Sequence, residues 1–135
     1  MINSYNITPQ AVVTDEALTF NVNKIKTGCT ITHASGTASF SLDKSGFYFI
    51  TFNGDASVDT AGTLSVQLFG NDTAIFGASS AVTAAVDTTY TLSFSTIVQV
   101  LPSCCACNND MTLTVVNTGA DATYSNANIV ITKLC

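Results

Sequence analysis

Short apolar runs rich in β-branched and aromatic residues alternate with turn residues along the whole chain, and no helical period extends over a useful length. Clusters of Gly, Pro, Asn and Asp separate these runs. The pattern predicts ten strands in 135 residues, near 10–14, 17–23, 29–33, 37–42, 46–53, 62–69, 80–85, 89–101, 111–117 and 127–134. That number of short strands favours an all-β, two-sheet jelly-roll sandwich.

The strand at 46–53 is apolar on both of its faces, whereas 37–42 alternates apolar and polar positions. One face carries Phe47 and Phe49, and the other carries Tyr48, Ile50 and Phe52. One of these faces can pack against the opposite sheet. The other needs a further layer, and the sequence predicts no helix to supply it.

Two more strands share this property. Tyr90, Leu92 and Phe94 lie on one face of a long strand, and Ile97 and Leu101 add apolar bulk to the other. The segment 129–131 is also apolar on both sides. If the three strands are neighbours, the outer face of their sheet is an apolar patch too large for a monomer. We therefore expect a closed symmetric oligomer, the alternatives being a larger partner or a crowded monomeric sandwich.

The sequence around this two-sided strand resembles the signature of a known protein family. Phe40, five further residues and then Gly46-Phe47-Tyr48-Phe49-Ile50-Thr51-Phe52 resemble the strand signature of globular heads in the tumour necrosis factor and complement first-component superfamily. Phe40, Gly46, Tyr48 and Phe52 match this signature, and Ile50 replaces an aromatic residue. The upstream half departs from it at Gly28 and His33. The Thr-, Ala- and Asn-rich texture resembles bacterial and phage versions, such as the heads of spore-surface collagen-like proteins.

The resemblance implies a ten-strand jelly roll that forms a homotrimer through an inner sheet containing the Gly-x-Tyr strand. No Gly-x-y collagen repeat precedes the head in this sequence. The residues that we assign to the trimer interface or core are Tyr48, Ile50, Phe52, Tyr90, Leu92, Phe94, Ile129 and Ile131.

The composition of the chain limits the classes of molecule that the protein can bind. Hydrophobic residues make up 47% of the chain and charged residues 10%, and the net charge is −5 with four lysines and no arginine. This balance argues against nucleic-acid binding and against disorder. No apolar run approaches the length of a membrane span, so we expect the surplus apolar surface to meet protein.

The N-terminal ten residues, MINSYNITPQ, have neither the basic nor the apolar region of a secretory signal. We assign 1–10 to an arm that docks on a capsid, fibre or coat protein, and 11–135 to the head domain. The chain has five cysteines, an odd number. The missing secretory signal and the five cysteines are both explained if the protein assembles inside a cell and meets oxidising conditions after lysis. We therefore expect it on a virion or on a spore or cell surface.

Catalytic chemistry has little support. His33 is the only histidine and is expected to be a solvated turn residue, and a Cys29–His33 nucleophile pair is the weaker alternative. The acidic pair Asp15-Glu16 has no second pair to complete a general acid and base. We therefore predict that the protein is not an enzyme.

The segment from Pro102 to Asp110 holds Cys104, Cys105 and Cys107. A redox Cys-x-x-Cys site needs a following helix. A zinc site needs further ligands, and three copies that meet on a trimer axis are one source of them. Disulfides that link subunits or layers are the third interpretation. The disulfide candidates are Cys29, Cys104, Cys105, Cys107 and Cys135.

No cofactor is predicted. Zinc at the cysteines is one alternative, and Ca²⁺ held by acidic loops at Asp55, Asp59, Asp72, Asp110 and Asp121 is another. The leading hypothesis is a non-enzymatic structural protein, displayed as a virion decoration or fibre head or on a spore or cell surface. The alternatives are a receptor- or glycan-binding adhesion head and a disulfide-cross-linked fibre subunit. For a sugar site, Tyr5 and Tyr124 are the only tyrosines outside core-like strands.

Overall fold

The computed structural model describes residues 1–102 and 110–134. These residues form eleven strands, which are numbered in chain order: β1 (Ile2–Asn6), β2 (Gln10–Val12), β3 (Val22–Lys26), β4 (Ile31–Thr32), β5 (Phe40–Leu42), β6 (Gly46–Ser57), β7 (Gly62–Gly70), β8 (Thr73–Ala84), β9 (Tyr90–Val100), β10 (Met111–Asn117) and β11 (Ala122–Lys133). The described part of the chain has no helix that is long and apolar enough to cross a membrane.

The strands make two antiparallel sheets that pack face to face. Sheet A has the order β3-β1-β11-β6-β9, with β2 also paired to β11. Sheet B has the order β4-β5-β10-β7-β8. The predicted all-β, two-sheet jelly roll is confirmed. The three strands with apolar residues on both faces, β11, β6 and β9, are consecutive neighbours in sheet A, as the patch prediction requires.

The structure corrects the prediction that residues 1–10 form a docking arm. Residues Ile2–Asn6 form β1, which pairs with β11 on one side and with β3 on the other. Ile2, Ser4 and Asn6 are buried, so this segment belongs to the sandwich and is not free to reach a partner. The sequence pattern misses β1 because two of its three inward positions are polar.

Other strand boundaries move for local reasons. The predicted strand 17–23 is reduced to single bridges at Ala17 and Phe20, and the regular pairing begins at Val22. Strand β8 begins at Thr73, well before the predicted start, because its ladder with β7 continues through an irregularity opposite Gln67 to Phe69. The amide of Gln67 donates to the carbonyls of Ile75 and Ala78 and replaces ladder hydrogen bonds there.

The core lies between the inward faces of the two sheets. Of the residues assigned to the trimer interface or core, all but one are buried in this core: Tyr48, Ile50, Phe52, Leu92, Phe94, Ile129 and Ile131. Tyr90 is half-buried at the edge of the same cluster. The rings of Phe52 and Phe94 stack with centroids 5.2 Å apart. These side chains hold the sandwich together and are not the ones that β6 and β9 present outward.

Candidate functional site

The outward face of sheet A carries the apolar side chains that the core does not use. Burial alternates along β6, so Tyr48 and Ile50 face the core while Phe47 and Phe49 face out. Ile97 on β9 lies opposite Phe49 in the register, and Val130 on β11 lies opposite Thr51. We call Phe47, Phe49, Ile97 and Val130 the assembly face.

Solvent reaches much of this surface in a single subunit. Phe47 is 43% exposed, Phe49 37% and Ile97 57%. Leu134, which follows β11, is also exposed, and its backbone N–H donates to the carbonyl of Phe47 at 2.7 Å. Exposed apolar side chains clustered on adjacent strands are typical of a surface that another protein covers.

The other end of the same sheet face is polar. The amide of Asn3 donates to Oδ1 of Asn128 at 2.7 Å, and Asn128 lies opposite Asn53 in the register. Farther along, the hydroxyl of Thr91 donates to the carboxylate of Asp55 at 2.8 Å. The face therefore has an apolar end beside Phe47 and Phe49 and a hydrogen-bonding end beside Asp55.

The family-motif residues have structural roles. Tyr48 is buried and its hydroxyl donates to the carbonyl of Lys44 at 2.6 Å, which ties the start of β6 to the preceding turn. Gly46, where β6 begins, has a φ of 139°, which favours glycine. Phe40 packs against His33, with ring centroids 4.0 Å apart and nearly parallel planes.

His33 is buried, and the prediction of a solvated turn histidine is wrong. Its Nδ1 lies 2.7 Å from Oδ1 of Asn23, and its Nε2 lies 2.9 Å from the carbonyl oxygen of Thr37. Burial lowers the pKa of His33; Lys26 lowers it further, and the hydrogen bond to Thr37 opposes both effects. Both ring nitrogens thus face backbone or amide oxygens, so neither serves as a base for the exposed Cys29.

Most of the predicted cysteine chemistry falls outside the described residues. Cys104, Cys105, Cys107 and Cys135 lie there, so zinc and disulfide use stay predictions. Cys29 is exposed and free. Across residues 1–102 and 110–134, no group of three acidic, histidine or cysteine side chains is placed to hold a metal ion. The calcium alternative therefore gains no clustered site from these residues.

The aromatic residues considered for sugar stacking are placed differently from the expectation. Tyr124 is buried, and its hydroxyl donates to Asn117. Tyr5 is half-buried on β1. Phe76, which the sequence pattern gave no reason to single out, is 92% exposed on the edge strand β8, beside Gly77 at a φ of 88°.

No family model and no curated protein matches this chain. Several solved structures do match it. The globular domain of zebrafish complement 1qA is 12% identical, with a TM-score of 0.68 over 96% of this chain and 94% of that one. The Eiger tumour necrosis factor from S. frugiperda is 15% identical, with a TM-score of 0.69 over 99% and 92%. The PRD1 vertex protein P5 is 19% identical, with a TM-score of 0.58 over 99% and 96%. The chain therefore has the jelly-roll fold of the tumour necrosis factor and complement 1q globular heads.

Proposed function

We propose that this protein is a non-enzymatic structural module that assembles as a homotrimer through the assembly face. The observation that carries the proposal is the exposure of Phe47, Phe49 and Ile97 on the outward side of sheet A. Burying such side chains between subunits stabilises an oligomer, because apolar area leaves water. The three-fold stoichiometry rests on the resemblance to the tumour necrosis factor and complement heads.

The proposed location is the surface of a virion, where the trimer decorates a vertex or caps a fibre. The shared fold with a phage vertex protein supports this location over a spore or cell surface. A surface dominated by neutral Thr, Ser and Asn side chains, with 10% charged residues, suits a particle exterior that must not bind nucleic acid.

Multi-angle light scattering of the purified chain tests the assembly. We expect a mass of three times 14.1 kDa, and the same mass with reductant, since the assembly face needs no cysteine. The double variant Phe49→Ser/Ile97→Ser should run as a folded monomer. The control Phe76→Ser removes an exposed ring from sheet B and should stay trimeric.

A native chain that is monomeric at high concentration would refute the proposal, as would a trimeric double variant. A mass that falls only when reductant is added would instead support the cross-linked fibre subunit, with the cysteines as the links.

A further inference from the structure

A groove opens on the side of the sandwich where β3 at the edge of sheet A meets β4 and β5 at the edge of sheet B. Its volume is about 450 Å³. It is lined by Lys26, Thr32, His33, Ala34, Thr37, Ser39 and Ser41. We call it the Lys26 groove. None of its lining residues belongs to the assembly face, so covering that face does not use up this site.

The hydroxyl groups of Ser39, just before β5, and Ser41 line one wall of the groove. Phe40 and Leu42 on β5 are buried in the core, so Ser39 and Ser41 point to the opposite, outer side. A serine hydroxyl both donates and accepts, and so do the hydroxyls of a sugar, whereas a simple inorganic anion only accepts.

Lys26 supplies a positive charge at the other wall. It lies opposite Ile2 in the register of β3 with β1, and Ile2 is buried, so Lys26 is on the core side of the edge strand, towards sheet B. It is one of four lysines in a chain of net charge −5. Within residues 1–102 and 110–134, its ammonium group forms no ion pair. Its effect in lowering the pKa of His33 agrees with a position close to that ring.

His33 gives the groove a fixed floor. The ring is stacked on Phe40 and held by Asn23 and Thr37. Asn23 in turn donates to the carbonyl oxygen of His33 at 3.0 Å and accepts from the hydroxyl of Ser4. Because these bonds join β1, β3 and the segment after β4, the site is preorganised, and a ligand does not have to order the strands that it contacts.

We propose that the Lys26 groove binds an acidic saccharide, with Lys26 on the carboxylate or sulfate group and the hydroxyls of Ser39 and Ser41 on the sugar hydroxyls. The inference goes beyond the structural role, because it gives the displayed module a ligand. No aromatic platform is among the lining residues, so the affinity is weak, with a dissociation constant on the order of 1 mM. Display in several copies on a particle raises the effective affinity through avidity.

NMR titration of the native assembly tests this site. His33 is the only histidine, so its imidazole resonances are assigned without ambiguity and report changes at the floor of the groove. The probes are galacturonic acid and 3′-sialyllactose as two sources of the acidic sugar, lactose as the neutral sugar and sodium sulfate as the bare anion. We expect saturable His33 shifts with at least one acidic sugar, and affinities about tenfold weaker for lactose and sulfate.

Two variants locate the contacts. Lys26→Gln should weaken acidic-sugar binding about tenfold, while Lys24→Gln, the same charge change on the same strand outside the groove, should leave it unchanged. Ser39→Ala/Ser41→Ala should also weaken it, and the matched control Ser79→Ala/Thr83→Ala on β8 should not. Equal affinities for sulfate and both acidic sugars, equal effects of the two lysine variants, or no His33 shift with any sugar would overturn the proposal. Light scattering of the same samples reports assembly separately, so a failed sugar site and a failed trimer are distinguishable.

Discussion

The hydroxyl of Tyr124 on β11 donates a hydrogen bond to Oδ1 of Asn117 at 3.1 Å, and both residues are buried. Asn117 ends β10, and its amide group donates to the carbonyls of Val12 and Ala120 at 3.0 Å each. One buried side chain therefore joins the ends of β2, β10 and β11, and it satisfies backbone oxygens that the sheet ladders leave unpaired.

Asn117→Ala should lower the free energy of unfolding more than Tyr124→Phe. The alanine variant leaves two backbone carbonyls and the Tyr124 hydroxyl without their partner, which costs about 3 kcal/mol or more. The phenylalanine variant leaves Oδ1 with its remaining donor, the N–H of Gly119 at 3.3 Å, and should cost about 1 kcal/mol. Urea unfolding at neutral pH measures both. Equal losses would mean that the amide contacts with Val12 and Ala120 contribute nothing.

Tyr124 should also make the protein sensitive to alkali. Burial raises the pKa of Tyr124 well above its ordinary value of 10.0. Above that ordinary value the unfolded chain releases this proton while the folded chain keeps it, so the unfolded state binds fewer protons and stability falls as pH rises. Unfolding free energies between about pH 9 and pH 11 should decline, and the decline should be shallower in Tyr124→Phe. Parallel curves for the two proteins would contradict this assignment. Tyr48, whose pKa burial also raises, accounts for part of the remaining slope.

His33 predicts the opposite dependence on the acid side. Its pKa lies below the ordinary 6.5, chiefly because burial disfavours the charged ring. As pH falls through 6.5, His33 takes up a proton in the unfolded chain before it does so in the folded chain. The free energy of unfolding is therefore highest above pH 6.5 and decreases as pH falls to the lower pKa of the folded state. Urea midpoints at about pH 7.5 and pH 5.5 should differ in the native protein and differ less in His33→Gln. A native protein that is more stable at the lower pH would contradict the lowered pKa of His33.

The hydrophobic pattern was sufficient to predict the fold class, because many short apolar runs separated by turn residues indicate a two-sheet sandwich. The two-sided strand β6 added the prediction of an apolar outer sheet face. Its apolar residues at consecutive positions indicated cover on both faces, and β11, β6 and β9 are indeed neighbours. Which face points to the core was not predictable, because Tyr48 and Phe49 are both large aromatic residues that suit a core. That choice depends on where sheet B lies, and it places Tyr48 inside and Phe49 outside.

Polar residues in buried positions explain what the pattern missed. Strand β1 was hidden because Ser4 and Asn6 are buried through hydrogen bonds to Asn23 and to the loop before β3. The sequence predicts a solvated His33 because the partners that bury it, Asn23 and Thr37, come from separate segments. Hydrogen-bond partners distant in sequence carry no periodic signal, so burial of this kind becomes visible only in three dimensions.

The division of β6 into two faces predicts two different failures. Tyr48→Asp and Phe94→Asp each place a charge in the core, and the cost of burying that charge exceeds the stability of a typical domain of this size. The circular dichroism spectra of both variants should therefore be those of an unfolded chain. Phe49→Asp places the same charge on the outward face and should give a folded monomer. A folded Tyr48→Asp protein of reduced mass would instead assign Tyr48 to the subunit interface.

The last prediction compares Gly119, where an added side chain would meet backbone atoms, with Gly28, where it would meet none. A Cβ added at Gly119 would lie 2.7 Å from the backbone nitrogen of Ser65 and closer still to the carbonyl of Thr63. Hydrogen bonds from Thr118 to Ser65 and from Ala120 to Thr63 hold this turn against β7, so the backbone cannot move away. Gly119→Ala should therefore lower the free energy of unfolding by about 3 kcal/mol or more.

Gly28 provides the comparison, because a Cβ there meets open space and only the φ of 76° opposes a side chain. Gly28→Ala should cost about 1 kcal/mol, the ordinary penalty for this backbone region. Urea unfolding of the two alanine variants in one buffer separates steric contact from backbone strain. If Gly28→Ala proves the more damaging of the two, the turn at Gly119 yields more easily than its hydrogen bonds to β7 imply.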